Sequence, residues 1–185
     1  MQNLKENIEK LNNYLSDTSY NDIDIVDLIK YLSSKFGVKQ EIKKEKYQRL
    51  EEYIGDSKKV LLVLVDGLGY YKVNELSDSS ILKKNLMTGI RTVNPTSTAC
   101  VLTSVCSAKY PSEHGIFGWW QYLRSKNLNY CPLPMVERKT GKKVEDKGIN
   151  LKEVFEFESI FEKLNTTVNI SMPRELISSS YSRMF

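Results

Sequence analysis

The sequence predicts an α/β domain: a parallel-type sheet flanked by helices, preceded by a helical amino-terminal segment. Residues 60–65 are an unbroken run of Val60, Leu61, Leu62, Val63, Leu64 and Val65. This is the pattern of a strand buried on both faces, as parallel sheets require because helices cover each side. The run ends at Asp66-Gly67-Leu68-Gly69. The two glycines mark a turn, and in open α/β sheets chemistry collects at the carboxyl ends of such strands. Helical spacing around the run, with a β-branched stretch at residues 166–170, supplies the strand, helix, strand alternation of a parallel sheet.

Taken in order, residues 4–15 place Leu4, Ile8, Leu11 and Leu15 at helical spacing. Residues 22–36 repeat the pattern with Ile25, Leu28, Ile29, Leu32 and Phe36 before Gly37. The charged stretch 39–54 carries Tyr47, Leu50, Tyr53 and Ile54 on one stripe and stops at Gly55-Asp56. Residues 1–55 are therefore expected to be a helical amino-terminal extension, and residues 56–185 an α/β domain. After the first strand a short helical or irregular segment leads to Met87, and residues 89–93 are a second, shorter strand candidate. Pro95 disfavours helix for Asn94, while Thr96, Ser97 and Thr98 are good caps for a small-residue helix over 99–108. Residues 109–120 are expected to be a loop around Pro111, Gly115 and Gly118. Residues 128–144, with two prolines and Thr140-Gly141-Lys142, read as an irregular excursion containing a hairpin. Helical spacing returns over 153–164 through Val154, Phe157, Ile160, Phe161 and Leu164, and residues 166–170 form the last strand.

With 185 residues, 41% hydrophobic and 27% charged, the chain can bury a core and is neither disordered nor fibrous in composition. Its 27 basic and 23 acidic residues give +4, a mildly basic and dispersed balance that reads as a solvated lysine-rich surface rather than a footprint for nucleic acid. Cys100, Cys106 and Cys131 show neither a disulfide framework nor zinc-knuckle spacing, and read as reduced, partly buried thiols. No apolar stretch approaches the roughly 20 residues that span a bilayer, so a cytoplasmic location is expected.

Asp66 has two readings: a turn residue before glycine, or a carboxylate ligand for a hard or borderline divalent cation, held by the strand behind it. Thr98 also has two: a helix N-cap, or a hydroxyl beside the free N–H groups at the positive end of a helix, where an attacked phosphoryl group would be held. Trp119, Trp120 and Tyr122 read as packing over the sheet edge rather than lining a pocket.

Three segments in order carry a more specific signal. They are the run ending in Asp66-Gly67-Leu68-Gly69, the stretch Pro95-Thr96-Ser97-Thr98-Ala99-Cys100-Val101-Leu102-Thr103-Ser104, and Tyr110-Pro111-Ser112-Glu113-His114-Gly115-Ile116-Phe117-Gly118-Trp119. Over these segments the chain resembles the alkaline phosphatase superfamily, in particular its type I phosphodiesterase/nucleotide pyrophosphatase group, from about residue 58 onward. The resemblance implies an alkaline-phosphatase-like sheet, and a metal-dependent hydrolase of phosphoric esters with two divalent ions, usually zinc, with manganese as the other candidate. It implies that Asp66 is a ligand of one metal and that Thr98 is both the nucleophile and a ligand of that metal. It also implies that His114, the only histidine, is structural, hydrogen-bonding to buried backbone.

Members of the family supply further Asp and His ligands downstream of the nucleophile. The resemblance therefore makes this chain the amino-terminal part of the fold, with an incomplete metal site and no activity expected from the chain alone. The partners it implies are a small-molecule phosphate ester and either the missing carboxyl-terminal half or a second copy, with no membrane and no specific nucleic acid. The alternative expectation is a non-catalytic, truncated or split-gene binding and assembly module.

Overall fold

The amphipathic pattern over residues 22–36 becomes helix α1, Ile25–Lys35, which contributes to two of the buried clusters. The computed structural model describes residues 5–7, 23–151, 155 and 157–184. The helix expected over 4–15 lies outside the described residues except for 5–7, which are helical and exposed. At the start of α1 the Asp24 carboxylate accepts from Asp27 N at 2.9 Å and the Asp27 carboxylate accepts from Asp24 N at 3.1 Å. This reciprocal capping box satisfies two N–H groups that have no partner within the helix. Asp27 also takes the buried Lys46 ammonium, which ties α1 to α2, Lys44–Ile54. Ile23, Tyr31 and Leu50 form the buried cluster between them, and Tyr31 meets Tyr47 edge to face at 5.1 Å. After α1, Gly37 has φ +91°, and a Cβ there would lie 2.2 Å from Asn165 Nδ2, so this position needs glycine both for its backbone and for its space.

Two short helices follow, α3 Tyr70–Asn74 and α4 Ile81–Lys84. The Asn94–Pro95 peptide is cis. Helix α5, Thr98–Ser107, is the small-residue helix expected from the sequence, and it is central because its residues enter two cores. Cys100 and Val105 join Ile25, Val26 and Ile29 of α1, with Val93, Ala108 and Ile160, in one buried cluster. Ala99 enters the other, with Ile116, Leu128, Tyr130, Met135, Phe155 and Tyr181 among its members. A helix apolar on nearly every side belongs inside. Small residues at Ala99, Cys100 and Thr103, all fully buried, let neighbours approach it closely. Ala108 closes it in the left-handed region at φ 56°.

Residues 109–120, expected to be a loop, contain one short helix, α6 Pro111–His114. Beyond it lies the sheet: β1 Gln121–Leu123, β2 Leu128–Cys131 and β3 Val136–Glu137, antiparallel in the order β1-β2-β3. The hairpin expected over 128–144 is present. Glu137 N donates to Lys142 O at 2.8 Å, Val136 bridges Lys143, and Gly141 turns at φ 66°. Helix α7, Arg174–Ile177, is the last α-helix.

The molecule is therefore α/β in the general sense, mixed helix with a small antiparallel sheet, and the strands expected of a parallel sheet are not formed among the described residues. Residues 60–65 belong to no ladder, and Leu61 is 87% exposed. Residues 89–93 reduce to a single parallel bridge at Arg91, whose N donates to Ile23 O at 3.0 Å while its O accepts from Ile25 N at 2.8 Å. Residues 166–170 are irregular, with Val168 and Ile170 exposed. The physical reason is that an apolar run specifies burial, whereas a strand also needs a second backbone to take its N–H and C=O groups. The helix expected over 153–164 appears only as a 3-10 turn at Phe161–Lys163, with residues 152–154 and 156 outside the described set.

Candidate functional site

The buried helix α5 fixes Thr98 at its first turn, and the cap is Ser97: its Oγ accepts from Cys100 N at 3.4 Å. Thr98 is therefore the first helical residue and not the N-cap, which leaves its hydroxyl available for another role. That hydroxyl donates to Asp66 Oδ2 at 2.9 Å across 32 residues of sequence. The two residues singled out in the sequence thus meet, with Asp66 exposed and Thr98 half-buried. Asp66 is followed by Gly67 in the left-handed region at φ 74°, so the chain turns away immediately behind the carboxylate.

Two oxygens 2.9 Å apart can share one ion that each contacts at about 2.0–2.2 Å, and carboxylate and hydroxyl are the donor types a divalent cation accepts. The set fits in kind but not in number. A closed site takes about four ligands and a catalytic one about three from protein, and among the described residues no group of three or more His, Cys, Asp or Glu stands together.

His114 is not part of this pair. Its Nδ1 accepts from Ile116 N at 3.0 Å, and its Nε2 lies 3.0 Å from Ser104 Oγ. Because Nδ1 is an acceptor, Nε2 carries the proton and donates to Ser104. His114 therefore cannot act as a base toward Ser104, although the two side chains lie at the spacing of a nucleophile and its base. Burial pushes its pKa down to about 4, so it is neutral at physiological pH. The backbone-bonding role expected of it holds. The Ser104 partnership was missed, and its only signal was a small polar residue inside an apolar helix.

The thiols are equally inert. Cys100 and Cys131 are buried and Cys106 half-buried, all three free. Burial pushes Cys106 up to about 12 and raises Cys131, which denies both the thiolate form.

Trp119, Trp120 and Tyr122 stand 48%, 45% and 55% exposed, with Tyr122 on the edge strand β1. An apolar groove lined by residues that include Leu28, Leu50, Tyr53, Leu68, Val73 and Met87 holds neither Asp66 nor Thr98. No helix among the described residues is long and apolar enough to cross a membrane. Comparison with family models, curated proteins and solved structures finds no match to this chain.

Proposed function

We propose that this chain carries the nucleophile of a metal-dependent phosphoric-ester hydrolase of the phosphodiesterase/nucleotide pyrophosphatase type, acting on a small-molecule phosphate ester. The observation that carries the reading is the 2.9 Å hydrogen bond from Thr98 to Asp66 at the amino terminus of a buried helix. In the reaction Thr98 Oγ1 bonds to phosphorus as the bond to the leaving oxygen breaks. The hydroxyl proton, already directed at Asp66 Oδ2, has an acceptor in place. First-turn amides and the dipole of α5 favour the negative phosphoryl oxygens. Water then cleaves the threonine ester and restores the hydroxyl. Asp66 and Thr98 are the ligands this chain would offer to zinc or manganese, which would supply positive charge to the alkoxide and phosphoryl oxygens. In this reading residues 60–65 are a strand of a parallel, alkaline-phosphatase-like sheet.

The test is hydrolysis of a nitrophenyl phosphate diester with zinc or manganese by the natural protein. Thr98→Ala is expected to abolish turnover and Thr98→Ser to retain part of it, with acid quenching trapping a phosphorylated or nucleotidylated Thr98 peptide. Equal turnover by Thr98→Ala would overturn the assignment.

The exposed apolar run at 60–65 favours a second reading, a binding and assembly module without catalysis. Zinc calorimetry bears on it: a chain offering only Asp66 and Thr98 should bind weakly, and tight stoichiometric binding that Asp66→Ala abolishes would contradict the module.

A further inference from the structure

One of the basic stretches of this chain builds its sheet. Between residues 120 and 147 seven basic side chains stand against three acidic ones, and the remaining sequence holds 20 of each. That is a local surplus of four in the segment that builds the antiparallel sheet. One of its three acids, Glu137, is already held by Lys147 at 2.8 Å.

That sheet has two unlike faces. Leu128 and Tyr130 of β2 point into the core. On the other face Tyr122 pairs with Asn129, and Arg138 N, one residue past β3, donates to Asn129 O at 2.8 Å, which sets Tyr122, Asn129 and Arg138 in one exposed row. Trp120, two residues before Tyr122, shares this face. The Arg138 guanidinium lies 5.2 Å from the centroid of its ring. Tyr122 is fixed by its hydroxyl, which donates to Asn127 Oδ1 at 2.9 Å. Arg124, which follows β1, and Lys139, next to Arg138, are exposed.

We propose that this face binds single-stranded nucleic acid, stacking bases on Trp120 and Tyr122 while Arg138, Arg124 and Lys139 meet the phosphates. Two solvent-exposed rings, one of them beside a guanidinium, offer unpaired bases surfaces to stack on, and the nearby cations match the phosphate backbone. Recognition is by stacking and charge, so it is tolerant of sequence. The inference does not depend on the roles of Asp66 and Thr98, because it is read as binding rather than turnover.

The experiment is fluorescence anisotropy of a labelled oligothymidylate of about 16 nucleotides with the full chain, competed by a duplex of equal length, by inorganic polyphosphate and by an acidic peptide. The single strand is expected to bind at least about tenfold tighter than the duplex or polyphosphate, with affinity falling steeply between about 50 and 200 mM salt. Trp120→Ala and Tyr122→Ala should each weaken binding about tenfold, the equivalent of one lost stack. Trp120→Phe should retain most of it, and Lys72→Ala, in α3, should change nothing. Circular dichroism checks each fold, and Trp120→Phe with Arg138→Glu keeps the test decisive if an alanine variant misfolds. Equal affinity for polyphosphate and the single strand, preference for the acidic peptide, or Trp120→Ala binding like wild type would overturn the proposal.

Discussion

A buried imidazole with both nitrogens engaged makes protonation a folding event. His114 has its pKa pushed down to about 4 by burial, below the ordinary value of about 6.5. Between those values the unfolded chain binds a proton that the folded chain does not, so stability is greatest above pH 6.5 and is lost as pH falls toward 4. The slope in this window should reach at most about 1.4 kcal/mol per pH unit. His114→Gln should remove that component of the slope, and urea unfolding midpoints at pH 7 and pH 5 for both proteins measure it. A wild-type midpoint that His114→Gln leaves with the same pH dependence would show that other groups carry the effect. Residue identity was partly legible at this scale. Asp66 and Thr98 could be named because each sits at a punctuated position, a glycine turn and a helix start. That Ser97, not Thr98, is the cap was not legible, since three adjacent hydroxyl residues offer the same oxygen chemistry and only the backbone geometry chooses among them.

Among the elements, α5 joins the two cores and so transmits any loss at its ends. Ser97→Ala removes the side-chain acceptor for Cys100 N and should cost about 1 kcal/mol, read as a lower midpoint in chemical unfolding, while Ser97→Asp, which keeps an acceptor, should cost less. Equal losses from the two substitutions would mean that the cap contributes nothing. Helices α1, α2 and α5 were legible because their information is local, whereas the helix expected over 153–164 appears only as a 3-10 turn. The stripe Ile25, Leu28, Ile29 and the stop at Gly37 are properties of neighbouring residues, and so is the Gly141 turn that announced the hairpin. The strands were not legible, because pairing is a relation between distant segments. Residues 60–65 state a preference for burial and say nothing of which backbone satisfies it, and residues 166–170 carry the same ambiguity.

For the whole molecule that unmet preference is the dominant liability. Contiguous exposed apolar side chains at 60–65, with Leu61 at 87% and Val63 at 68%, present surface that water disfavours by about 25 cal/mol per Å², and patches of this kind mark association sites. The chain is therefore expected to self-associate as its concentration rises, and the double substitution Leu61→Lys with Val63→Lys to remain monomeric, as light scattering after gel filtration would record. A wild-type chain that stays monomeric at high concentration would contradict this. Two of the three free cysteines offer a different use of the same architecture. Cys100 lies on α5 in the cluster it shares with α1, and Cys131 ends β2, each essentially sealed from solvent. A thiol-modifying reagent can reach either one only during an opening of the region around it. The molecule thus carries two built-in clocks. Unequal alkylation rates would time the helical half and the hairpin half separately, and equal rates would report that the two halves breathe as one.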